Sequence, residues 1–341
     1  VSTLDEIWFT RCPVPTATGI AADRGTLAAE FAPDGIAVRS LQELHEAAEN
    51  SDLARAHYTH ELTGLFREGG NVPALWARSR GEATRVVALT WIEERQAILV
   101  REDSDLHHPR QLRGARLAVP RHAIDIDFWR AMALHGHAGA LALAGLTLDD
   151  AEVVDVDGVR RGQWEGELSA LRDGRVDAVY VKGAVAVETA RRYGARVAID
   201  LDAAPDRRHR VNNGTPRPIT VHQRLLDEHP TVVARFLAVL LESADWAAGN
   251  GTDLARILSL ETGAGAEGVA GAYGPGTAGS LQLSLSEERL DLLAQQERFL
   301  RAQGFLSARV DIRTWAAHEP LREALRLRAA SSTAPSASSP V

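Results

Sequence analysis

The sequence predicts an α/β protein of two lobes with a cleft between them, on three grounds. Short apolar runs alternate with longer amphipathic segments, without an internal repeat at solenoid periods. At 341 residues the chain exceeds what a single core comfortably serves, so two domains or one large α/β unit are expected. A run opened by "LRGARLAVP" and closed by "ARVAIDL" reads as a second lobe set into the first, which gives two crossings. The expected division is residues 1–98 with 203–328 for the first lobe, 99–202 for the second, and a low-complexity tail at 329–341.

In chain order, "DEIWFT" alternates as a strand and runs into Cys12, "TGIAADRGTLAAEF" has helical spacing, and "GIAVRSL" is strand-like after the Pro33-Asp34-Gly35 turn. Cys12 is thereby placed at the carboxyl end of the first strand, the edge where open α/β sheets bind ligands. "LARAHYT" reads as a short strand leading to His57, and "HELTGLFRE" as a helix carrying Leu62, Leu65 and Phe66 on one face. Gly69-Gly70 break that pattern. "NVPALWARS" starts a new helix with Pro73 in its first turn, so backbone amides near Gly70 are expected to point outward and form an anion site. "VVALTWI", "QAILVRE" and "DAVYV" are strands, and the chain is mostly helical from "VVARFLAVLLESADWAA" through "EERLDLLAQQERFLRAQG".

Composition narrows the function. A net charge of −8 and the absence of a Lys/Arg-rich stretch interleaved with aromatics argue against nucleic acid as a partner. No apolar run is long enough to span a bilayer, and "VSTLDEIWF" lacks the charged and apolar regions of an export signal, so a cytoplasmic location is expected. The single cysteine excludes an internal disulfide and fits a reducing compartment. No cofactor is expected, and the chain is expected to act as a monomer.

Several constellations have plain readings. His57-x-x-His60-Glu61 lacks the three or four convergent ligands that zinc needs, so no metal is expected. His135-x-His137 and His107-His108 read as solvated residues, and "GAYGPGTAGS" as a flexible turn without the Gly-Lys-Ser/Thr ending of a phosphate loop. Arg67 alone could simply complement a helix dipole. Lys182, the only lysine, falls just past a strand near the same sheet edge as Cys12. Taken together, Cys12, His57, Arg67 and the Gly69-Gly70 turn put a thiol, an imidazole, a guanidinium and free amides at the ends of neighbouring elements, where one cleft can hold them.

At these residues the chain resembles the 2'-hydroxybiphenyl-2-sulfinate desulfinase family. The resemblance rests on "CPVP" at 12–15, on His-x-Thr at 57–59, and on Arg67 followed by Gly69-Gly70 with a ten-residue step from histidine to arginine. Fainter similarity continues through "RQAILVREDS", "DGRVDAVY" and "FLRAQGFL" to "WAAHE". It implies a periplasmic-binding-protein-like fold of type II, related to sulfonate, nitrate and pyrimidine-precursor binding proteins, with Cys12, His57 and Arg67 catalytic and Gly70 binding the anion. It implies hydrolytic cleavage of the carbon–sulfur bond of an aromatic sulfinate, releasing sulfite without metal or organic cofactor.

The departures fall on the substrate side. The family's tyrosine three residues before the cysteine is Phe9, a phenylalanine after the histidine is Tyr58, and after "DAVY", where the family carries two tryptophans, this chain reads Val181-Lys182-Gly183-Ala184-Val185. A lost aromatic wall and a gained cation point to a more polar substrate, with Phe9, Tyr58, Gly69, Gly70 and Lys182 as its contacts. The competing reading is a solute-binding protein of the sulfonate or nitrate type, which shares this fold without chemistry.

Overall fold

The computed structural model describes residues 4–10, 14–42, 56–57, 59–159, 164–274 and 276–333. Cys12 and Tyr58 lie outside the described residues.

Two five-stranded sheets form the two lobes of a mixed α/β fold. The first has the order β2-β1-β3-β10-β4, built from β1 (Glu6–Phe9), β2 (Ala37–Ser40), β3 (Leu65–Glu68), β4 (Thr84–Thr90) and β10 (Arg217–His222). The second has the order β7-β6-β8-β5-β9, from β5 (Gln96–Arg101), β6 (Arg116–Arg121), β7 (Glu152–Asp157), β8 (Ala178–Lys182) and β9 (Ala195–Asp200). In the first sheet β1 runs parallel to β2 and β3, while β10 is antiparallel to β3 and β4. The second repeats this plan, with β6 parallel to β7 and β8 and β5 antiparallel to β8 and β9. The chain crosses between sheets twice, from β4 to β5 and from β9 to β10.

The segment around Arg67 differs from the expected strand-then-helix. Ala56, His57 and Thr59 are helical, and "LFRE" is the strand β3. All four of its residues are buried, because β3 lies between β1 and β10 with side chains covered on both faces. A strand covered on both faces carries no alternation, so its apolar spacing imitates a short helix. Phe66 stacks on Phe236 of the long helix Pro230–Gly249, ring centroids 3.8 Å apart, and this contact pins β3 to the first-lobe core. Arg67 therefore sits within a strand, and its charge has no helix dipole to complement.

Phe9 belongs to the same core, where it is buried with Ile7 and Phe31. The last helix, His318–Thr333, runs into the tail that was expected to be disordered. "GAYGPGTAGS" is partly ordered: the helix Ala266–Ala272 reaches into it and a helical turn covers Thr277–Ser280.

The expectation of solvated histidines at 135 and 137 fails. Both are buried in the helix Phe128–Ala142. His135 stacks on Phe299 and pairs through Nδ1 with the side-chain oxygen of Gln296, while His137 Nε2 lies 2.9 Å from the Ala118 carbonyl oxygen. Gln296 in turn donates to Asn71 Oδ1, and Asn71 donates to the carbonyl oxygens of Asn212 and Pro216. This buried chain ties a second-lobe helix to the head of the helix Asn71–Ser79. His107 and His108 are at the surface, as expected, where His108 caps a short 3₁₀ turn.

Burial holds His135 and His137 neutral, each pushed down to about 4. Between about pH 4 and 6.5 the unfolded chain binds more protons at these sites, so they withdraw stability as pH falls. Glu167, in the helix Glu165–Arg172, is pushed up to about 7 by burial, against the effect of a backbone hydrogen bond and with a small contribution from Asp127. Here the folded state binds the extra proton, so stability falls as pH rises from about 4.5 to 7. Glu167→Gln is accordingly expected to match the parent at pH 4 and to exceed it by up to about 3 kcal/mol at pH 8. Denaturant midpoints at the two pH values measure this; a gain of equal size at both would show that the ionised carboxylate carries no cost.

Candidate active site

A cavity of about 370 Å³ opens between the lobes. Val14, His57, Arg67, Gly70, Asn213 and Arg217 line its first-lobe side. Phe128, Trp129, Met132, Trp164 and the β8 end at Lys182 line the other. Strand ends and helix starts meet here because the carboxyl ends of β3 and β8 face one another across the two crossings.

Arg67 is fully buried. Its Nε donates to the His57 carbonyl oxygen at 2.7 Å and its Nη1 to the Gly70 carbonyl oxygen at 3.0 Å. The guanidinium is thus clamped by the backbone at both ends of the segment it spans, and two of the three site residues predicted from their spacing are joined through a main-chain oxygen. The two glycines make the clamp possible. A Cβ at Gly69 would lie 2.6 Å from the Arg67 guanidinium, and one at Gly70 would lie 2.4 Å from the Asn213 side-chain oxygen. Gly69 is therefore clearance for Arg67 and does not itself line the cavity.

The amides at the start of helix Asn71–Ser79 are mostly spoken for. Asn213 accepts from the Asn71 amide through its carbonyl oxygen at 2.7 Å and from the Val72 amide through Oδ1 at 3.0 Å. Pro73 has no amide hydrogen. The Gly70 amide meets no acceptor among the described residues and remains the one backbone donor of that turn at the cavity wall. The expected anion site thus reduces to one amide beside one guanidinium.

Glycine-to-alanine at 69 tests the clamp. Gly69 is not in the left-handed region, so alanine fits the backbone and acts by displacing the guanidinium. Gly69→Ala is expected to weaken binding of a small anionic ligand about tenfold, the scale of a buried overpacking change, in calorimetric titration. Unchanged affinity would mean that the clamp plays no part in holding the anion.

The wall opposite Arg67 is aromatic, which corrects the expectation that it had been lost. Trp129 meets Trp164 edge to face at 5.5 Å, and Phe128 packs beside Trp129 at 5.4 Å. Trp164 takes a left-handed backbone conformation, φ 68°, at the start of the helix Glu165–Arg172, which turns a bulky ring back toward the cleft. Phe9, expected as a contact, is not among the lining residues.

Lys182 ends β8 and lines the cavity, but its ammonium is ion-paired with Glu94, whose side chain is fully buried. The gained cation is therefore neutralised within the protein. The residue that sequence reasoning missed is Arg217, the first of β10. It is 3% exposed and lines the cavity, and its Nε and Nη1 meet no acceptor among the described residues. Among the described residues no group of three or more His, Cys, Asp or Glu side chains is arranged to hold a metal, and no helix is long and apolar enough to cross a membrane.

The NMT1/THI5-like family profile matches residues 69–252, from the Gly69-Gly70 turn past Lys182 and Arg217. The chain belongs to the NMT1/THI5-like family. It is 26% identical to the 2'-hydroxybiphenyl-2-sulfinate desulfinase of Rhodococcus erythropolis, over 94% of each chain. Among solved structures it is similar to a Cys-to-Ser variant of the desulfurization enzyme DszB in complex with biphenyl-2-sulfinic acid, with a TM-score of 0.73 and 23% identity over 95% of this chain and 100% of that one. It is also similar to the periplasmic aliphatic sulphonate binding protein SsuA of Escherichia coli, with a TM-score of 0.66 and 15% identity over 93% of each. The fold is thus the periplasmic-binding-protein-like one. The family profile begins after Arg67, so His57 and Arg67 lie before the matched span of this NMT1/THI5-like chain, whereas Gly70, Trp129, Trp164, Lys182 and Arg217 lie within it.

Proposed function

We propose that the chain is a sulfinate desulfinase, an enzyme that cleaves the carbon–sulfur bond of an aromatic sulfinate and releases sulfite. The observation that carries this reading is the anion end of the cavity: a fully buried Arg67 clamped beside the Gly70 amide, facing an aromatic wall. The similarity to a sulfinate desulfinase along 94% of the chain supports it.

In the proposed reaction Arg67 and the Gly70 amide hold the sulfinate oxygens, while Phe128, Trp129 and Trp164 pack on the ring. Cys12 belongs to the segment between Thr10, at the end of β1, and Val14, which lines the cavity. Its thiol gives a proton to the ring carbon that bears sulfur, the electrons of the carbon–sulfur bond remain with that carbon and restore the aromatic ring, and SO2 leaves as a neutral molecule with release of the arene. Water adds to SO2 to give bisulfite and a proton, which His57 returns to the thiolate. The sum is hydrolysis: sulfinate and water give arene and bisulfite. The alternative, thiolate attack on sulfur with His57 as base, brings an anion onto an anion and depends on Arg67 to neutralise it. An ordinary thiol, with a pKa of about 8.5, is mostly protonated at neutral pH and suits the first route. A reducing cytoplasm keeps such a thiol competent.

The second reading is a solute-binding protein without chemistry, favoured by the likeness in fold to SsuA. A sulfite-release assay over a panel of aryl and alkyl sulfinates separates the two. Sulfite from at least one aryl sulfinate is expected; tight binding of sulfinates or sulfonates with no sulfite formed establishes the receptor.

A further inference from the structure

The first-lobe wall of the cavity, which Arg67 and Gly70 also line, holds a second cation that meets no contact partner among the described residues. Arg217 is nearly buried, forms no ion pair among the described residues, and has two buried nitrogens without an acceptor. Its neighbours do not supply one. A Cβ on Gly214 would lie 2.9 Å from Lys182 Nζ, 3.2 Å from Glu94 Oε1 and 3.5 Å from Arg217 Nη2, so three charged groups converge on that glycine. Within the trio Lys182 meets Glu94 Oε1 while Oε2 meets no donor, and two cations share one carboxylate, so a net positive charge remains at Arg217. Glu68 is close enough to feel Arg217, but its oxygens accept from Thr18 and Thr90. Burial also raises its pKa, which weakens it as a counter-ion.

A buried guanidinium with unmet donors is costly unless a ligand brings an acceptor. We propose that Arg217 receives a carboxylate on the carbon skeleton of the substrate. Under the desulfinase reading, on which this rests, the preferred substrates are aryl sulfinates with a second anionic group, held between Arg67 and Arg217 with the ring against Trp129 and Trp164. A carboxylate fits better than a hydroxyl: it neutralises the charge and matches the planar fork with two oxygens, whereas a hydroxyl offers one and leaves the charge standing. Pairing of Glu94 with Lys182 removes the repulsion that a lone carboxylate would exert on such a ligand.

Two measurements test it. Steady-state sulfite release compares 3-carboxybenzenesulfinate with benzenesulfinate and with the corresponding carboxamide. The carboxylate is expected to raise kcat/KM about 10- to 100-fold over both, and Arg217→Gln to bring that ratio close to one. Calorimetric titration of the parent compares isophthalate with benzoate, and tighter binding of the dianion by a similar factor is expected. This arm needs neither turnover nor a folded variant. If isophthalate binds no better than benzoate, or if Arg217→Gln keeps the kinetic preference, the carboxylate site is overturned. If no sulfinate yields sulfite while isophthalate binds tightly and Arg217→Gln abolishes that binding, the desulfinase reading fails and the carboxylate site stands.

Discussion

Cys12→Ser is expected to lower sulfite release by about a thousandfold or more while leaving sulfinate affinity within a few-fold of the parent. The two side chains differ by one atom, so the anion end at Arg67 and Gly70 is unchanged. What changes is acidity: an aliphatic hydroxyl is a far weaker proton donor than a thiol, and positioned acid catalysis contributes roughly 10²- to 10⁴-fold. Were Cys12 instead the nucleophile, serine would need an activating base to attack at all, and turnover would collapse as well. The routes are told apart by rapid quenching of the parent with substrate and intact-mass measurement, where only nucleophilic attack leaves an adduct on Cys12. A variant that releases sulfite at the parental rate would remove Cys12 from the reaction. Identical sulfinate binding by variant and parent, with no sulfite from either, would leave a binding protein.

The two-lobed arrangement was legible because its causes are local: apolar runs bounded by turns, and the inserted block from "LRGARLAVP" to "ARVAIDL", survive in a single sequence. The spacing of His57, Arg67 and Gly69-Gly70 was legible only through the resemblance to the desulfinase family, and the structure gives the ten-residue step a local meaning, since Arg67 Nε donates to the His57 carbonyl oxygen. The strand β3 was not, because a four-residue element covered on both faces has no period to read. Long-range partners were also out of reach. Nothing near Lys182 announces Glu94, 88 positions away, so a cation was credited to the cleft that the protein neutralises itself. Arg217 looked like one of many arginines until β10 carried it into the cavity wall. Trp129 and Trp164 likewise became an aromatic wall only through the packing of second-lobe helices, a substitute for aromatic positions that the sequence had lost.

Arg67→Ala is expected to weaken sulfinate binding by about 30- to several thousand-fold, the range seen when one member of a buried charge-assisted pair is deleted. The loss has two sources. The sulfinate gives up its guanidinium partner, and the carbonyl oxygens of His57 and Gly70 lose the donors that fix the turn presenting the Gly70 amide. Arg67→Lys separates them: an ammonium keeps the charge but cannot reach both carbonyls as a planar fork does, so it should recover only part of the affinity. Added guanidinium ion restoring binding to Arg67→Ala, at concentrations that leave its circular dichroism unchanged, would show that the charge acts on the ligand directly. If Arg67→Ala binds sulfinates as the parent does and remains folded, the anion sits elsewhere in the cleft, and Arg217 becomes the residue to examine as its holder.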